Sequence, residues 1–523
     1  MHSPSRLPRA RTLRNVIGVG LLAAGVVAAP AARADDTTSE QAQQLEQQLH
    51  DWLAALLGPH VAIGEHPVHF APEEDHFRLD IPVAGPLGGT GVTVEAEPIS
   101  AVVKPLDGGR WAIDEIHSPS PLKVTFAMAG ADATTVTATI DEQDQHAVLD
   151  PSLASASSWD ATLKGYDSVA QGANNTRRAT HIGQIVAHLA GNPVTDGRID
   201  LLEDVDTTLL TSDSDMPNVG KVLFSAERMH VVAHIDSVAP DRVTTILHTV
   251  FELVPEAMAK AAARRAAGEA KDAPADATAD KAADGKMTPE QHASLRAGLV
   301  ALTELTSGVG EQITMENLHL TMPGHEGHAA KAMVGLGGDA PDGKLAMRMS
   351  FSLDGLDSPE IPAGIFRDYL PRHIAFAPRI GGIPAADVKD LLLRAVDSEG
   401  NDPALKADSE ALLQKGPLLI GLDDVSLDAG PATLAANGEV QITGRDQYAG
   451  QAHIAVTGFD ALMRQVGAVP ELKQAGPILI FLKGIGQQNG DTIVWDINYA
   501  DKKLLVNGND MSQLIPGGGG GSQ

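Results

Sequence analysis

The chain has 523 residues, no cysteine, 68 acidic against 39 basic side chains, and a formal net charge of −29. The missing cysteines exclude disulfides, zinc–thiolate centres, iron–sulfur clusters and thiol catalysis, and the acidity argues against nucleic acid or an anionic membrane surface as partner, since both need a positive footprint. Aromatic residues make up 3% of the chain, which disfavours the stacking platforms on which sugar and single-strand nucleic-acid sites rest.

Arg6, Arg9, Arg11 and Arg14 precede an apolar run from Val16 to Ala29, and Ala32-Arg33-Ala34 follows it. The run is shorter than the ~20 apolar residues of a spanning helix. Small residues also stand where a signal peptidase cuts, so residues 1–34 are expected to be a cleaved signal peptide for Sec export to the periplasm, an uncleaved anchor being the alternative. Residues 1–34 carry five arginines and no acid, so their removal takes the net charge to −34. No later segment approaches spanning length.

Residues 39–58 place Leu45, Leu49, Trp52, Leu53, Leu56 and Leu57 at helical spacing behind Ser39, a candidate N-cap. From about residue 60 the period changes to two. The runs "FRLDIPV", "GVTVEAEPISAVV", "RWAIDEI", "LKVTFAM" and "TTVTATI" predict an antiparallel meander with one apolar and one wet face. Residues 222–235 follow as a strand and 240–268 as a helix, with a possible bend at Pro255.

Residues 269–286 are nearly all Ala, Asp and Lys without an apolar period, the composition of a disordered linker. It separates a β-rich half with its N-terminal helix (35–268) from a second β-rich half (287–516), and a Gly-rich tail (517–523) ends the chain. The second half opens with a predicted helix: Thr288 and Gln291 form a capping box and Pro289 suits the first helical position. This helix and 240–268 are expected to pair antiparallel. A helix is also predicted at 386–396, and long alternating strands with Asp/Asn-Gly turn signals fill the last 110 residues.

Two echoes run through the chain. "ITMENLHLTMPGHEGHAAKAMVGL" resembles "IGLDDVSLDAGPATLAANGEVQIT", and "AHIDSVAPDRVTTILHTV" resembles "AHIAVTGFDALMRQVGAV". The expected fold is therefore α+β: an extended, curved and twisted antiparallel β-sheet built from repeated strand–strand–helix units, with a few packing helices.

The residues that most resemble chemistry are His319, His325 and His328, the candidate metal ligands. A zinc hydrolase needs two histidines four apart on a helix, whereas His325 and His328 are three apart among Pro323, Gly324 and Gly327. The first echo sets "PGHEGH" against "AGPATL", a connection without ligand chemistry, so a strand-to-strand loop is expected.

"SPLK" (120–123) matches Ser-x-x-Lys without its partner motifs, "DSDMPNVG" (213–220) lacks the glutamate that closes a calcium loop, and "GPLGGTG" (85–91) does not enter a helix. No catalytic constellation emerges, so neither enzyme activity nor a cofactor is expected.

A Trp-containing first helix ("LHDWLAALLG"), a β-rich body and a closing "LLVNGNDMSQLI" resemble the alphaproteobacterial envelope proteins grouped as domain of unknown function 2125. More distantly, the layout is similar to the periplasmic repeat families around AsmA, whose curved sheets are thought to hold or pass lipid. The resemblance implies a non-enzymatic envelope protein whose ligand is an acyl chain or lipid on an apolar sheet face, with Leu479, Phe481, Ile493, Trp495 and Ile497 as candidates to face it. A metal-dependent hydrolase using the histidines, or a scaffold for another envelope protein, are the alternatives.

Overall fold

The computed structural model describes residues 38–57, 68–83, 85–87, 92–126, 133–150, 155–172, 176–216, 219–250, 252–253, 288–361, 365–398, 402–444, 447–468 and 474–514. They form mostly a large antiparallel β-sheet with seven helices besides the helical residues 240–250. The predicted signal peptide, the linker at 269–286, Pro255 and the Gly-rich tail lie outside the described residues. The chain divides into two compact units: Met1–Tyr166, Ile185–Glu203 and Ser237–Lys286 form one, and Asp167–Gln184, Asp204–Asp236 and Met287–Gln523 the other.

The first unit opens with helix α1 (Ser39–Leu57). Its cap is Thr38, one residue before the predicted Ser39. Thr38 Oγ1 accepts the Gln41 N–H at 3.2 Å, and Gln41 Oε1 accepts the Thr38 N–H at 3.0 Å. The reciprocal bond needs a Gln or Glu three residues on, which Thr38 has and Ser39 lacks. The strands that follow are β1 (His69–Glu73), β2 (His76–Ile81), β3 (Gly85–Leu87), β4 (Val92–Glu95), β5 (Ile99–Pro105), β6 (Trp111–His117), β7 (Leu122–Phe126), β8 (Thr134–Thr139) and β9 (Glu142–Asp150).

They do not form the simple meander that their even spacing suggests. β2 pairs with β5, β4 with β7 and β6 with β9, so the short β3–β4 and β7–β8 hairpins stand outside the ladder β1–β2–β5–β6–β9. Across that ladder Phe77, Val103, Ile113 and Ala147 are successive cross-strand partners. They share a buried core with Ala42, Leu45 and Leu49 of α1. Glu46 fixes the helix to the first strand: its Oε1 accepts the Phe70 N–H at 2.8 Å and lies 2.9 Å from His69 Nδ1.

The long strands β10 (Ser155–Gln171), β11 (Arg177–Pro193), β12 (Ile199–Met216) and β13 (Gly220–Val238) come next in the chain. Helix α2 (Pro289–Glu304) begins as predicted, with a full Thr288/Gln291 capping box and Pro at its start. It is followed by β14 (Gly308–Met322), β15 (His325–Asp339), β16 (Lys344–Asp354), helix α3 (Ile365–Asp368), β17 (His373–Pro384), α4 (Ala385–Asp397), α5 (Leu405–Lys415), β18 (Leu418–Ala429), β19 (Ala432–Gly444), β20 (Gln447–Thr457), α6 (Phe459–Ala468) and α7 (Gly476–Ile485). The chain closes with β21 (Gln487–Asn489), β22 (Thr492–Ala500), β23 (Lys503–Val506) and β24 (Asn509–Asp510).

In the second unit sequential strands pair antiparallel from β13 to β20, and β22 then follows β20. Both members of the first echo are hairpins, β14–β15 and β18–β19, each closed by two residues. In the second echo β20 runs directly into α6, and β13 into the helix that starts at residue 240.

Candidate ligand-binding face

Period-two alternation gives each strand two faces, and the register of the second unit aligns the apolar ones. Val231, Ile313, Val334, Phe351, Phe376, Val425, Ala436, Ile454 and Trp495 form one row, each residue the direct cross-strand partner of the next from β13 to β22. A parallel row holds Ile235, Val309, Gly338, Met347, Ile380, Ile420, Val440, Gly450 and Tyr499. Leu336 and Met349 are partners between the two.

The opposite face is polar: Arg348, Ser350 and Ser352 alternate with these residues on β16, and Asn437, Glu439 and Gln441 on β19.

At its β22 end the apolar face is closed. Ile493 is 3% and Trp495 6% exposed, in a core with Phe459 and Val506, and Leu479, Leu482 and Ile497 pack against it. The Trp495 indole N–H donates to the Leu482 carbonyl at 2.9 Å.

Four of the five predicted ligand-facing residues thus belong to a packed helix-on-sheet core. The fifth, Phe481, is exposed. The segment "GPILIFLKGI" is a helix, α7, and on a helix positions two apart point about 200° from each other, so Leu479 and Phe481 cannot share a side.

Between β15 and β19 the face is open. Met347 is 57%, Met349 54%, Ile380 52% and Leu336 49% exposed, and Val334, Phe351, Phe376, Ile420, Leu422 and Val440 are exposed as well. Ten such side chains present on the order of 800 Å² of apolar surface, more than the few hundred Å² that soluble monomers usually leave contiguous. The sequence carried the alternation that builds this face, but nothing in it marked which part a helix would cover.

The polar side is tied by ion pairs that cross strands. Arg379 of β17 donates from Nε to Asp423 at 2.5 Å and reaches over β18 to Glu439 of β19, also at 2.5 Å. Gly421 lies between them in the register. A Cβ there would stand 2.7 Å from Arg379 Nε, so the missing side chain makes the passage. The Gln441 amide first, and the Arg379 guanidinium after it, hold the Glu439 carboxyl below its ordinary value. Arg379, Asp423 and Glu439 line a cleft of about 810 Å³ with Asn437, Gln451 and His453, and their charges are already paired.

The candidate metal ligands are strand residues flanking a two-residue turn, Pro323–Gly324, rather than members of a loop. His319 on β14 and His328 on β15 are cross-strand partners, their ring centroids 4.5 Å apart. His325 is directed elsewhere: its Nδ1 lies 2.8 Å from Glu360 Oε2. That imidazole, with the Glu326 N–H, holds the Glu360 carboxyl below its ordinary value. The structure therefore joins two of the three histidines.

A second group, Asp204, Asp206 and His230, offers three ligand atoms within 4.8 Å of one another. Sequence reading did not find it, because the two aspartates are on β12 and the histidine on β13. Arg228 already grips both Asp206 oxygens, at 2.7 and 2.8 Å, and holds that carboxyl below its ordinary value, so one of the three ligands is already paired with a cation.

Ser120 is engaged with backbone: its hydroxyl bonds the Ile140 carbonyl and N–H, while Lys123 bonds Glu95.

No protein-family model, curated protein or solved structure matches this chain. Among the described residues no helix is long and apolar enough to cross a membrane.

Proposed function

We propose that this protein is an exported, non-enzymatic component of the periplasmic envelope that holds an acyl chain or lipid against the open apolar face of β15–β19. What supports the reading is the register-aligned set of exposed aliphatic, Met and Phe side chains. Flexible thioethers such as Met347 and Met349 suit a surface that accepts chains of varied shape. The N-terminal arginines and apolar run support export. The resemblance to the domain of unknown function 2125 proteins, and more distantly to AsmA, supports the envelope setting. The matched hairpins β14–β15 and β18–β19, each followed by a further strand, support duplication of a strand–strand unit.

Energetics favour a weak carrier over a tight receptor. A sixteen-carbon chain with roughly half of each methylene covered gains about 0.4 kcal/mol per CH2, or on the order of 6 kcal/mol in all. That corresponds to a dissociation constant of tens of micromolar.

The test is native mass spectrometry of protein purified from periplasm without detergent, with organic extraction of the same sample, on wild type and the double variant Met349→Asp/Ile380→Asp. Acyl lipid on the wild type and its loss from the variant is the expected result. An empty wild type that also fails to take up palmitate at 0.1 mM overturns the reading and leaves protein interaction as the use of this face.

A further inference from the structure

We propose that His319 and His328 form a two-imidazole chelate for a late first-row divalent metal ion, Cu²⁺ foremost. The site is independent of the apolar-face reading. At least ten described histidines stand within 4.0 Å of a carboxylate oxygen, and most of them pair across neighbouring strands. In a chain this acidic that is the ordinary surrounding of an imidazole. His319 and His328 instead face one another.

The geometry fits one shared ion. Metal–imidazole bonds of about 2.0–2.1 Å put two ring centroids roughly 4.5–5 Å apart when both rings bind the same metal, and the observed separation is 4.5 Å with a 50° tilt. Backbone pairing holds both residues in place. His319 is the register partner of Ser225 on β13 as well as of His328. His328 exchanges reciprocal N–H···O bonds of 2.8 Å with Asp357. The neighbouring carboxylate of Asp357 is engaged by Arg367 at 3.1 Å, and that of Glu360 by His325.

His319 is exposed and His328 half-buried, so an ion can enter without rearrangement. Two neutral nitrogen ligands select copper, nickel or zinc over calcium and magnesium, which demand oxygen, and the affinity series places Cu²⁺ highest. The remaining coordination positions stay open to water or to a donor atom from another molecule.

The experiment titrates the full chain with Cu²⁺ alone, by calorimetry against glycine as competing chelator and by electron paramagnetic resonance of the one-equivalent complex. The tightest site is expected to show coupling to two imidazole nitrogens. His319→Asn and His328→Asn should each weaken it about tenfold or more, because one arm of a preorganised pair is lost. His325→Asn, His188→Asn and His230→Asn should leave it unchanged.

Circular dichroism checks folding, and His319→Gln and His328→Gln repeat the test should an Asn variant misfold. Unchanged affinity in both arms, or a loss that follows His188, His230 or His325, overturns the proposal.

Discussion

Replacing Asn507 with glycine isolates what one side chain contributes at the point where α7 meets the sheet. Asn507 has φ +49° and Gly508 φ +79°, the left-handed pair of an Asn-Gly turn between β23 and β24. Its amide donates to the Ile485 carbonyl at 2.9 Å, at the end of α7, and to the Val494 carbonyl of β22 at 3.0 Å. Its Oδ1 accepts the Asp496 N–H at 2.8 Å. Glycine keeps the backbone conformation without strain, so Asn507→Gly removes three hydrogen bonds and little else.

At about 1 kcal/mol each the loss is roughly 3 kcal/mol. Hydrogen exchange resolved to peptides within 476–500 should then speed up by about two orders of magnitude where opening is local. Asn507→Asp should be worse than glycine at neutral pH, because a carboxylate oxygen would face two carbonyl oxygens. If Asn507→Gly exchanges like wild type and Asn507→Asp matches it, α7 is held by apolar burial alone and the hydrogen-bond argument fails.

Trp495→Ala should cost about 3–5 kcal/mol in urea unfolding, whereas Ile380→Ala on the open face should cost under about 1.5 kcal/mol, since half of that side chain is already in water. Gly421→Ala should push Arg379 off Glu439 and lower stability by about 1–2 kcal/mol, an effect absent in an Arg379→Ala background. Thr288→Ala should cost about 1 kcal/mol through loss of the α2 cap.

Because Arg228 lowers the Asp206 pKa, the pair's stabilisation is fully present above the ordinary carboxyl value of 3.8 and is lost as pH falls through the lower folded value. Arg228→Gln should therefore be less stable than wild type at pH 7, with the gap closing in acid. A gap that stays constant to pH 2 would show that the pair contributes only packing.

Local signals in the sequence led to the right elements wherever the chemistry was itself local. Thr288, Pro289 and Gln291 name the start of α2, and alternation names β13, β18 and β19. Non-local pairing was out of reach: nothing in "GVTVE" says that β4 skips its neighbour to join β7. The first cap slipped by one residue because Thr38 and Ser39 are both good caps and only Gln41 decides between them. "GPILIFLKGI" is apolar but for Lys483 and its glycines, so no period in it separates strand from helix.

The open face shows why covered and uncovered surfaces look alike in sequence. Phe351 stands between two serines and Val334 and Phe376 between small or apolar residues, Ile454 and Trp495 have equally mixed neighbours (His453 and Ala455, Val494 and Asp496), and all five belong to a single cross-strand row. What differs is a helix overhead. α6 and α7 follow β20 and fold back on β22, while β15 connects to β16 through four residues, Ala340 and the 3-10 turn Pro341–Gly343, too short to carry a cover. Length alone does not decide it: α4 and α5 follow β17 and still leave Phe376 and Ile380 exposed, so the burial of an apolar strand position is set by which strands the following helices pack on.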